Sequence, residues 1–153
     1  MMVIKNKLLL FLLMAACYGC SPKVTQGSLE VNYISSIDGT VTLRVIGDGS
    51  NQKALESAEK KAFDVLLFRG VPGSPERLAM VGSNEIDEKA KNSAYFDRFF
   101  TEKRYKSFVM AAIPTSAAYK ESGAKKSAFD IKVNTAALRT DLEQNNIIRK
   151  FGY

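Results

Sequence analysis

Histidine and tryptophan are absent from the 153 residues, and cysteine occurs twice, at positions 17 and 20. General acid–base catalysis most often recruits histidine, and zinc sites draw on clustered histidine and cysteine. A disulfide scaffold needs more cysteines spread along the chain. The raw material for all three is missing. The carboxylate pairs Asp87/Glu88 and Asp141/Glu143 fall in the first turn of one predicted helix and on the polar face of another. Both are solvated settings, poorly suited to acid–base work. Ser74 and Ser83 have no recognisable base partner. No enzymatic activity, metal, cofactor or small-molecule substrate is therefore expected. There is no internal repeat and no low-complexity tract. The apolar run Leu8–Ala16 has nine residues, short of the ~20 that a membrane-spanning helix needs.

That run has a different use. Lys5 and Lys7 precede it, and the small residues Ala15 and Ala16 lead into Cys17, with Cys20 close behind. A positive, then apolar, then small-residue order is that of an export signal. The segment resembles the bacterial lipoprotein signal, in which a cysteine after small residues is diacylated and becomes the new N-terminus. The resemblance implies lipid attachment at Cys17, with Cys20 as the alternative, and a membrane partner reached through that lipid. The C-x-x-C spacing also fits a redox pair, but such a pair opens a helix in a thioredoxin-like unit, and this one ends a leader.

On this reading residues 1–16 are the signal peptide, 17–27 a lipidated tether and 28–153 a single domain. Pro22 and Gly27 discourage regular structure in the tether. The first acid after the leader is Glu30. Surface-exported lipoproteins of Bacteroidota usually carry acids directly after the cysteine, and inner-membrane retention uses an aspartate there. Both departures point to the periplasmic face of the outer membrane. Removing Lys5 and Lys7 with the leader leaves 20 Lys+Arg against 16 Asp+Glu. So mild and dispersed a charge is no nucleic-acid footprint.

The domain pattern gives β-β-α-α-β-β-α. Leu29, Val31 and Tyr33 alternate with polar residues in a strand over Ser28–Ser35, and Asp38-Gly39 predicts a hairpin turn. Val41, Leu43 and Val45 alternate in a second strand, Thr40–Ile46. After Gly47-Asp48-Gly49 the period changes. Ala54, Ala58, Ala62 and Val65 form one face of a helix from about Ser50 to Phe68, capped by Ser50 or Asn51 and stopped by Gly70 and Pro72. A second helix is predicted from Asn84 or Glu85 to Phe100, with Ile86, Ala90 and Ala94 on its apolar face. Lys103–Ile113 and Lys126–Val133 read as strands, joined by a weakly patterned connection. A last helix carries Leu138 and Leu142, capped by Asn134 or Thr135. The fold class is α+β, a two-layer sandwich with an antiparallel sheet of about four strands and about three helices.

Three stretches are candidates for function. Gly47-Asp48-Gly49 before a helix has the look of a phosphate-binding turn. The dinucleotide fingerprint requires a third glycine where Gln52 stands, so a tight connection explains it better. Tyr95, Phe96, Phe99, Phe100, Tyr105 and Phe108 lie interleaved with Arg98, Lys103, Arg104 and Lys106. Their spacing is that of a core face, with Tyr95 and Phe99 as candidate contacts for a partner where the stripe widens. The tail Ile147-Ile148-Arg149-Lys150-Phe151-Gly152-Tyr153 is rich in large apolar groups for a chain end. Ile147, Ile148, Phe151 and Tyr153 either complete the core or dock on a partner.

The Gly-x-Gly turn and the Ala54/Ala58/Ala62 helix resemble small periplasmic lipoprotein domains of accessory function, and the size, the leader and Phe68-Arg69-Gly70 resemble short lipoproteins of Bacteroidota envelope machinery. These include the lipoprotein subunit of type VI secretion trans-envelope complexes. The resemblance implies a non-enzymatic structural or accessory subunit with larger envelope proteins as partners. The alternative is a periplasmic module that binds a small ligand or peptidoglycan. A flat or ridged apolar surface would mark the first, and a concave pocket with convergent polar groups the second.

Overall fold

The computed structural model describes residues 30–150. Cys17, Cys20, the leader, the tether, Phe151 and Tyr153 lie outside the described residues. The domain is an open α+β sandwich: one antiparallel five-stranded sheet with its helices on one face. Strands β1 (Val31–Ile37) and β2 (Thr40–Asp48) form the expected hairpin. Asp38 and Gly39 both take positive φ, 44° and 71°, as a tight two-residue turn requires. The long helix α1 (Gln52–Phe68) returns along the sheet. After α2 (Glu85–Lys91), α3 (Ser93–Phe96), a π-turn (Asp97–Thr101) and a 3-10 turn (Arg104–Phe108) come β3 (Val109–Pro114), β4 (Tyr119–Glu121), β5 (Ala124–Asn134) and α4 (Thr135–Gln144). The sheet order is β1-β2-β5-β3, and β4 pairs with the start of β5.

The alanine stripe packs as its spacing predicts. Ala54, Ala58 and Ala62 are fully buried, and the helix lies so close to β2 that Gly47 is required beneath it. A Cβ at position 47 would stand 1.9 Å from the Ala54 carbonyl oxygen and 3.1 Å from the Ala58 Cβ. The core face of the sheet is Val41, Leu43 and Val45 of β2 with Phe129, Ile131 and Val133 of β5. At the end of α1, the backbone N–H groups of Met80 and Val81 donate to the Leu66 and Leu67 carbonyls at 3.1 and 3.0 Å. The short apolar piece Leu78–Val81 thus satisfies carbonyls that a helix end leaves open.

Four expectations about local structure change. Asn51 stands at the start of α1 with φ 52° and makes no side-chain cap bond. The second helix is interrupted at Asn92, whose side chain donates to the Glu88 carbonyl at 3.2 Å and competes with the helical ladder. Ile86, Ala90 and Ala94 consequently face solvent. Lys103–Ile113 is a strand only from Val109. Tyr105 and Phe108 are three apart, which puts them on opposite faces of a strand but on one side of a 3-10 turn, and both are buried in the core. The connection 115–123 contains β4, which closes a hairpin with β5 through Ser122 and Gly123, at φ 50° and 83°.

The last helix begins as expected. Asn134 accepts the Ala137 N–H at 2.9 Å, and Asn146 takes the left-handed position with φ 57°. The Ile147 N–H then returns to the Leu142 carbonyl at 2.9 Å and the Asn146 N–H to Glu143 at 3.1 Å. That pair of bonds is a Schellman closure.

Candidate functional site

The aromatic set is core. Tyr95 and Phe99, read as candidate partner contacts, are buried and unavailable to a second protein. Phe63 of α1 meets Phe99 edge-on with ring centroids 5.5 Å apart, and Phe68 meets Phe96 at 5.4 Å. The widened stripe is filled from within, because α1 contributes two rings and Lys89 lies 4.4 Å from the Phe100 ring. Lys89 is also paired with Glu85 at 2.8 Å and Asp64 at 3.2 Å. Burial pushes the Asp64 carboxyl above its usual range, against the opposing pull of Lys89.

Asp141, expected on a solvated face, is instead largely covered. It accepts from the Tyr95 hydroxyl at 2.8 Å and pairs with Arg104, so α3, the 3-10 turn and α4 are tied at one carboxylate. Burial, and then the hydrogen bond to Asp141, raises the Tyr95 phenol. Tyr105 keeps its hydroxyl buried without a hydrogen-bond partner among the described residues. Its phenol is pushed up to about 12, by burial first and then by Glu59 and Glu56. Glu59, nearly buried, has Lys106 at 3.3 Å.

The Gly47-Asp48-Gly49 turn does not cradle an anion. The Asp48 N–H donates to the Ser57 hydroxyl at 3.1 Å, and the Gly49 N–H to the Lys125 carbonyl at 2.8 Å. These two donors are spent within the fold, one on α1 and one on β5. Among the described residues no group of three or more His, Cys, Asp or Glu is placed to hold a metal ion.

Two surfaces remain. The first is a cleft of ≈ 830 Å³ beside the C-terminal tail, lined by Met80, Val81, Ile147, Ile148, Lys91 and Lys150, among others. Ile147 and Ile148 are half-buried and pack against the core, so only one flank of each is offered to the cleft. Arg139 at its edge is engaged with Glu76 at 2.9 Å.

The second is the face of the sheet turned away from the helices, which the sequence reading did not single out. Arg44 of β2 and Asp130 of β5 stand opposite each other there and form a two-point ion pair at 2.8 and 2.9 Å. Lys132 lies next to them on β5. Both edge strands carry one extra residue, Ile34 in β1 and Met110 in β3. Such bulges blunt a sheet edge against strand addition. Large exposed apolar groups sit on those two edge strands: Ile37 is 65% exposed, Ile113 60%, Met110 56% and Ile34 43%, while half-buried Ile46 of β2, opposite Ala128, shares the face with Arg44 between them. Alternation of side chains makes this legible once the register is known. Ile37 pairs with Thr40, and Ile113 with Asp130, both on the uncovered face. No family model matches the chain, and no curated protein or solved structure is found to match it.

Proposed function

We propose that the protein is a lipid-anchored lipoprotein on the periplasmic face of the outer membrane, serving as a non-enzymatic subunit of a larger envelope-spanning assembly. Type VI secretion membrane complexes, whose lipoprotein subunit the leader and Phe68-Arg69-Gly70 resemble, are the class of assembly in view. The observation that carries the reading is the sheet face that the described helices leave uncovered, with exposed Ile37 and Ile113 on its two edge strands and Arg44, Asp130, Lys132 and half-buried Ile46 between them. The edges are three strand spacings apart, roughly 14 Å. A protein partner that fits this face presents apolar ridges to the two rims and a carboxylate to Lys132. Because both edges are bulged, the contact is made by the face and not by adding a strand.

The test is a cross-linked pull-down from membranes, comparing wild type with Ile37→Asp and Ile113→Glu. These positions are exposed, so stability should stay within about 0.5 kcal/mol while the captured envelope partner is lost. Unchanged capture by both variants overturns the face as the docking surface. The cleft beside the tail favours the second reading, a module for a small ligand or peptidoglycan, since Lys91, Arg149 and Lys150 line it together with Met80, Val81, Ile147 and Ile148. Calorimetry with soluble peptidoglycan fragments decides it. Binding that Lys91→Glu abolishes would install this reading in place of the first.

A further inference from the structure

The chain comes into the domain at Glu30, and several segments are locked together there. The Glu30 carbonyl accepts the Ile46 N–H at 2.8 Å, and its carboxylate is held by Lys61 at 2.6 Å and Lys126 at 3.2 Å. Lys61 also holds Asp48 at 2.6 Å, and Lys126 holds Glu121 at 2.9 Å. The start of β1, the end of β2, the first half of α1 and the β4–β5 hairpin therefore share one end of the molecule. The acids of this end are all spoken for: Glu56, half-buried on this stretch of α1, is held by Lys103 at 2.9 Å.

Four exposed lysines surround the network. Lys53 and Lys60 line a shallow groove on α1 with Ser57, and Lys120 and Lys125 flank the hairpin turn. None of the four is held in an ion pair among the described residues. Exposed Tyr119 stands beside Lys120, the kind of side chain that settles at headgroup depth. Four lysines outside any described ion pair thus share the end where the chain leaves toward its N-terminus, with further basic groups such as Lys91, Lys132 and Lys150 elsewhere on the domain.

We propose that this end of the domain lies against an anionic phospholipid surface, with Lys53, Lys60, Lys120 and Lys125 at the headgroups. The placement rests on the lipid-anchored reading. From Cys17 to Glu30 the chain reaches at most roughly 43 Å, so an anchor at Cys17 keeps this end near the bilayer. Basic groups held there are attracted by anionic lipid over about a Debye length. The uncovered sheet face then stands to the side, free for a protein partner.

The acylated full chain, reconstituted into vesicles, tests this by lysine acylation with a membrane-impermeant reagent and mass spectrometry. On vesicles of phosphatidylglycerol with phosphatidylethanolamine, the four lysines should react several-fold more slowly than on phosphatidylcholine alone. Molar salt should remove the difference, and Lys91 and Lys150 beside the tail should not show it. The double variant Lys120→Glu/Lys125→Glu, checked for an unchanged thermal midpoint, should lose the protection at Lys53 and Lys60. Equal reactivity on both vesicles overturns the proposal, as does protection by peptidoglycan sacculi with none by vesicles. Flotation separates the two layers of the argument. A chain that floats with vesicles after a salt wash but shows no lysine protection keeps its anchor and loses this orientation; one that does not float loses both.

Discussion

At the residue scale, single atoms decide how close the two layers come. Gly47 is the position where β2 runs under α1, and an added methyl meets a carbonyl oxygen that is fixed in the helix backbone. Gly47→Ala should therefore overpack the interface and cost about 1–3 kcal/mol, read as a lower urea midpoint. Ala58→Leu should behave alike from the other side. A wild-type midpoint in both would mean that helix and strand separate without penalty. Asp141 is the second such residue. Asp141→Ala leaves the buried Tyr95 hydroxyl without its acceptor and Arg104 without its partner, and should cost about 1–3 kcal/mol. Asp141→Asn keeps an acceptor for Tyr95 and should cost less; equal losses would assign the whole effect to the charge.

At the scale of elements, ion pairs join segments that are remote in the chain, and they make stability depend on pH. Lys61, by its hydrogen bonds, holds the Glu30 and Asp48 carboxyls below their ordinary values of 4.5 and 3.8. Groups depressed in the folded state contribute stability above the ordinary values, and this is lost as pH falls through the folded ones. Asp64 works in the opposite sense. Burial raises it, so its contribution is present at low pH and fades as pH rises past 3.8. Acid urea titrations should show stability falling below about pH 4, with Lys61→Met flattening that fall. An unchanged acid slope in Lys61→Met would remove Lys61 as the link between β1, β2 and α1.

For the molecule as a whole, the question is how the chain is closed. The tail does not leave the domain at Asn146, because Ile147 closes the Schellman motif and both isoleucines pack against the core. Truncation after Asn146 removes two half-buried isoleucines, worth about 2 kcal/mol in lost apolar burial. Circular dichroism melts of the two chain lengths provide the measurement. A truncated chain as stable as the full one would free the isoleucines for the cleft and strengthen the ligand reading. The open sheet is covered asymmetrically, with the described helices on one face, so the described residues leave a broad second face in addition to the cleft.

Much of the architecture was decided by short-range pattern in the sequence itself. Asp38-Gly39 set the hairpin, period two in Val41, Leu43 and Val45 set the buried face of β2, and alanines four apart set the packing side of α1. Asn134 and Asn146 bounded the last helix. In each case one element's own periodicity or one residue's backbone preference carries the information. Tertiary structure decided what depends on a second segment. Tyr105 and Phe108 entered a 3-10 turn because Phe63 of α1 and Phe99 were there to receive them. Asp141 became a buried tie because two other elements converge on it. The uncovered face needed the register between β2 and β5, which brings Arg44 to Asp130 across 86 positions, and Lys126 reached Glu30 across 96. Such pairings are set by how strands align in space, a long-range choice that local spacing does not encode.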